Sequence, residues 1–108
     1  MSFADNAART SPLWDTFDPS AITGATWKVS DSAPVGICTL AAVRAPTGGG
    51  TLIFKQASTW VTPPPGSSYD ALDGTFTRVF AANEALINVQ ITEIVKAGST
   101  AGTWEIAL

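Results

Sequence analysis

Hydrophobic and polar positions in this chain of 108 residues alternate with a period of two over several short stretches. Thr26-Trp27-Lys28-Val29 places Trp27 and Val29 on one face and Lys28 on the other. Val35 to Val43 is an apolar run of the kind shown by a strand covered on both sides. The turn Pro46-Thr47-Gly48-Gly49-Gly50 leads into Thr51-Leu52-Ile53-Phe54-Lys55-Gln56, and the two runs predict a hairpin or a sheet crossover. Thr75 to Ala81 sets Phe76, Arg78 and Phe80 against Thr77 and Val79. A charge between two rings requires either that Arg78 be paired beneath them or that Val79 mark the core side. Ala85 to Val95 is the longest strand, with Ile87, Val89 and Ile91 inward and Asn88, Gln90 and Thr92 outward. Glu93-Ile94 breaks that alternation, as a bulge does. Trp104, Ile106 and Leu108 line the last strand. Short strands at this spacing without a long helix predict an all-β domain, a small β-sandwich or a jelly-roll-like barrel.

Two segments stand apart from the alternation. Residues 1–25 read as an extended N-terminal arm ahead of a single β domain over 26–108, with Phe3, Leu13, Trp14 and Phe17 as widely spaced apolar anchors. Ser11-Pro12 and Asp18-Pro19 each put a capping residue before a proline, which predicts one helical turn at most. The second segment is the loop 58–75, "STWVTPPPGSSYDALDGT". Loops of this length are uncommon in small domains and tend to be functional. Pro63-Pro64-Pro65 stiffens it toward polyproline II, which lowers the entropy lost on docking. Such a loop suits docking better than closure over a substrate. Gly48-Gly49-Gly50 reads as a mobile connector, and no Gly-Lys-Ser/Thr follows it to make a phosphate loop. Thr26-Trp27-Lys28-Val29 and Thr103-Trp104-Glu105-Ile106 share one pattern; if first and last strands are neighbours, Lys28 pairs with Glu105.

Charge and chemistry narrow the function. The formal charge is −3 and only 14% of residues are charged. The basic residues stand singly, which argues against nucleic acid. Surfaces made of Ser, Thr, Ala and Gly are buried against partners at low desolvation cost. The absence of His removes Ser-His and Cys-His nucleophiles and His-ligated zinc. Cys38, the single cysteine, makes no intrachain disulfide and reads as a small core hydrophobe. Asp70 and Asp73 have the spacing of a carboxylate pair, but a domain of this size offers little room for a sugar cleft. Asp70-Ala71-Leu72-Asp73-Gly74 reads as turn chemistry rather than a calcium loop. The expectation is a protein with no catalytic residue, metal or cofactor. The start "MSFADNAART" has no signal-peptide pattern and no apolar stretch spans a bilayer, so synthesis in the cytoplasm without membrane association is expected.

Of the four Trp, Trp27 and Trp104 fall in alternating strands and are assigned to the core. Trp14 and Trp60 lie outside the strands. With Phe3, Phe17, Pro64 and Tyr69 they form the candidate partner-binding set. On these features, the arm with Phe3, Trp14 and Phe17 and the loop from Trp60 to Tyr69, the chain resembles the capsid decoration, or cement, proteins of tailed bacteriophages. The likeness is one of composition and architecture over the whole chain, and no functional residue carries over by motif. It implies a virion protein that forms trimers or dimers on the outer shell and joins the major capsid protein or other virion subunits through arms and loops. The alternative is a carbohydrate-binding module with Trp60, Tyr69, Asp70 and Asp73 as a glycan platform.

Overall fold

The computed structural model describes residues 14–58 and 61–108 and is all-β. Its strands are β1 (Asp15–Phe17), β2 (Thr26–Lys28), β3 (Leu40–Arg44), β4 (Gly50–Gln56), β5 (Ser68–Asp70), β6 (Thr75–Phe80), β7 (Ala85–Val95) and β8 (Trp104–Ala107). Every pairing is antiparallel. They run in the order β1-β8-β3-β7-β4-β6-β5, with β2 also on β7. The expected hairpin of β3 and β4 gives way to the crossover, because β7 lies between them.

The continuous sheet becomes a small sandwich because β7 serves both halves. Its first part, from Ala85 to Ile91, pairs with β3. Its last part holds β4 on one edge, over Ile91–Val95, and β2 on the other, over Glu93–Val95. Between them the strand bulges: Leu40 pairs with Ile91 but Ala42 pairs with Ile87, and Asn88 adopts a left-handed φ of 60°. That one residue resets the alternation. Leu86 packs against the core and Val89 and Ile91 lie in it, while Ile87 is 70% exposed. The inward placement expected for Ile87 is therefore corrected. A second reset falls where Glu93-Ile94 predicts it: Ile94 is buried in register with Trp27 and Phe54, and Glu93 turns out between Lys28 and Lys55.

The core gathers Leu40, Val43, Leu52, Phe54, Phe76, Ile91, Ile94, Trp104 and Ile106. Phe80 meets Trp104 edge-on at 5.2 Å, and the indole Nε1 of Trp104 donates to the Thr100 carbonyl at 2.9 Å. Trp27 packs on this core from its rim and donates to Ser32 Oγ at 3.0 Å.

Several expectations change at the N-terminal side. Residues 1–13 of the expected arm lie outside the described residues, but the part from Asp15 belongs to the domain. β1 pairs with β8, setting Phe17 opposite Trp104, and Ile22 joins the core. Asp18 caps the 3₁₀ turn Pro19–Ala21, accepting from Ser20 N at 2.9 Å and from Gly102 N at 3.3 Å. Hydrogen bonds from the Ser20 hydroxyl and amide hold its carboxyl below the usual aspartate range. Glu105 pairs with Arg44 at 3.2 Å rather than with Lys28, because β8 borders β1 and β3 while β2 borders β7. The apolar run from Val35 is a strand only from Leu40; before it a turn closes from Ile37 N to Pro34 O, and Val35 and Cys38 are exposed. Cys38 is thus a surface residue, not a core hydrophobe.

Candidate functional site: apolar grooves along the proline-rich loop

The proline-rich loop runs beside an edge of β7 that is unpaired among the described residues. β4 follows β7 as far as Gln56, and Ala57 N donates to Gln90 O at 3.0 Å just beyond. Beyond it, Thr62 to Pro65 face Leu86 to Val89 across a groove of about 260 Å³. Proline has no N–H to donate, so this stretch flanks the edge of β7 without completing a ladder. Ile87 lies in that groove, 70% exposed. On the other side of Pro63 a second groove, of about 240 Å³, is lined by Val61, Pro63, Tyr69 and Phe76. Tyr69 is 51% exposed, with its ring 4.8 Å from that of Phe76.

Arg78 holds the loop in place. It lies on the core face of β6, in register with Leu52, and its side chain is 11% exposed. Its guanidinium stacks on Phe80 at 4.6 Å and donates from Nε to the Pro65 carbonyl at 2.9 Å. Two further bonds reach Glu84, at 3.1 Å to Oε1 and 2.9 Å to Oε2. Paired Arg78 beneath the aromatics is thus the arrangement adopted, and Val79 is the exposed member. Ser67 N closes the next turn on Pro64 O at 3.1 Å, and Gly66 supplies a φ of 87°. Residues 64–67 of the loop are thus preset rather than free to swing.

Hydrogen bonds from Arg78 and then from the Ala81 amide pull the Glu84 carboxyl from its ordinary 4.5 to about 2. A carboxylate depressed on folding stabilises the protein above its unfolded value and loses that contribution as pH falls through the folded value. The stability of the domain is therefore expected to decline between pH 4.5 and about 2. Glu84→Gln should flatten part of that decline in an acid denaturation series followed by tryptophan fluorescence. An unchanged pH profile in the variant would refute the pairing.

The candidate partner-binding residues separate into four groups. Phe3 and Trp60 lie outside the described residues. Pro64 and Tyr69 line the two grooves. Trp14 is half-buried against its own domain, with Arg44 4.4 Å from its ring centroid. Phe17 is only 6% exposed, its ring 4.8 Å from that of Trp27, so it offers no surface to a partner and its role as an anchor is corrected. Ile87 was not among the candidates, because the reset at Asn88 has no counterpart in the hydrophobic pattern.

Of the glycan platform, the described members Tyr69, Asp70 and Asp73 do not share one groove. Tyr69 shares the core-side face with Phe76, whereas Asp70 and Asp73 line a separate groove with Lys55, Thr75 and Thr77. Asp70 is engaged in its turn, accepting from Leu72 N at 2.9 Å, with Gly74 N on its carbonyl at 2.8 Å. Among the described residues no three His, Cys, Asp or Glu gather to hold a metal ion. No family model, curated protein or solved structure matches the chain.

Proposed function

We propose that this protein is a non-enzymatic structural component that binds and stabilises a larger assembly, acting as a decoration protein on the shell of a tailed phage. The observation that carries this reading is the groove between the latched prolines and β7, with Ile87 standing 70% exposed at its wall. An apolar side chain beside a preset loop supports docking, since little conformational entropy remains to be lost on binding. The low charge of the chain favours burial of such a surface. Repetition of a modest contact around a shell multiplies it into high avidity. The phage shell as the particle rests on the resemblance of the chain, and the groove supports the docking.

Ile87→Asp tests the reading. The side chain is exposed, so the variant keeps its fold and melting temperature. A charge at the centre of an apolar contact is expected to weaken attachment to the particle by roughly tenfold or more. Co-sedimentation of purified protein with undecorated particles measures it. Wild type that stays in the supernatant, or a variant that pellets equally well, would refute the proposal.

A further inference from the structure

The sheet order leaves β1 and β5 at its two ends. Residues 1–13, ahead of β1, lie outside the described part of the chain, whereas β5 ends the sheet with no further strand on its outer edge among the described residues. All three of its residues are exposed and no bulge interrupts its pairing with β6. None is Lys or Pro, and the open backbone groups of such an edge are a template for another strand.

We infer that β5 is the seam of a two-fold homodimer, in which Ser68–Asp70 of one copy pairs antiparallel with the same strand of a second. The three residues are self-complementary only about their centre. Centred on Tyr69, the pairing sets Tyr69 opposite the partner's Tyr69 and Ser68 opposite the partner's Asp70, and symmetry repeats the second contact. No like charges face each other, although the chain is acidic. The Ser68 hydroxyl can donate to the Asp70 carboxylate across the seam, because the turn in each copy uses only Oδ1 of Asp70. Centring on Asp70 would set two carboxylates face to face, which is unfavourable. A three-residue edge is consumed by this pairing, so the contact closes as a dimer.

Side chains on the core-side face make the same choice. Tyr69 stands beside the groove of about 240 Å³ lined by Val61, Pro63 and Phe76. Across a two-fold axis the ring of each Tyr69 enters the partner's groove and covers its apolar walls. Ser68 and Asp70 point to the opposite face, where their in-chain neighbours across β6 are Thr77 and Thr75. The Ile87 groove lies on the other side of Pro63, so the loop separates one surface for a second copy from one for the shell. The dimer requires nothing of the shell and is tested without it.

Light scattering on the size-separated full chain should give twice the mass of the 11.2 kDa chain. Ser68→Asp puts a carboxylate opposite Asp70 and should weaken the dimer; Ser68→Lys puts a cation there and should strengthen it. A change of roughly tenfold in the dissociation constant is expected in each direction. Thr77 is neutral and Ser68 is exposed, so both variants keep the fold, which circular dichroism verifies. A monomer at every concentration, a trimer, or both variants shifting the equilibrium the same way would overturn the assignment.

Discussion

Phe17→Ala is expected to lose about 3–4 kcal/mol of stability, which lowers the melting temperature of a domain this size by roughly 12 °C or more. Phe17 is 6% exposed, meets Trp27 at a tilt with ring centroids 4.8 Å apart and sits in register with Trp104. It also borders a groove shared with Ile22 and Trp27, so the missing ring leaves space that β1, a three-residue strand, is poorly able to collapse into. The opposite role makes the opposite prediction. A docking anchor replaced by alanine would melt normally and bind poorly. Thermal unfolding, with tryptophan emission as a second readout, separates the two; an unchanged midpoint would refute the core placement.

Gly49→Ala and Gly48→Ala should differ sharply although the residues are adjacent. Gly49 has a φ of 74°, and a Cβ there would lie 2.6 Å from the Phe80 carbonyl oxygen, 3.1 Å from Ala81 C and 3.2 Å from Ala82 N. Those atoms are backbone and cannot rotate away, so strain and overpacking together cost about 3 kcal/mol. A Cβ on Gly48 meets nothing within 4 Å and its φ is not in the left-handed region. Gly48→Ala is therefore expected to be neutral, or to stabilise by about 0.5 kcal/mol through the unfolded chain. Denaturant midpoints of the two variants measure the gap. Equal midpoints would mean that the three glycines are a loose connector after all. The structure instead packs Gly50 as well, against Thr100 and Trp104.

The fold was legible wherever alternation runs unbroken. Leu52 and Phe54 on β4, Phe76 and Phe80 on β6, and Trp104 and Ile106 on β8 all point inward as their period requires. Legibility fails where one backbone angle changes the frame. Asn88 reverses Ile87, and the turn at Pro34 to Ile37, with Gly36 at a φ of 91°, exposes an apolar run. Phe17 was misread for a different reason: three residues of β1 carry too little periodicity to distinguish an edge strand from an arm. The site was half visible. Pro64 and Tyr69 stand out by composition, but the Arg78 latch depends on Pro65 and Glu84, which only the folded chain brings together.

The order β1-β8-β3 gives β1 a single partner among the described residues, and that partner is β8. A nascent polypeptide thus has no place to lodge residues 15–17 until residue 107 has left the ribosome. Until then one flank of β3 also stays bare, and the half-made product carries two open ladders. Closure is therefore a late, all-at-once event in which loss of residues 104–107 would release β1 and bare β3 together.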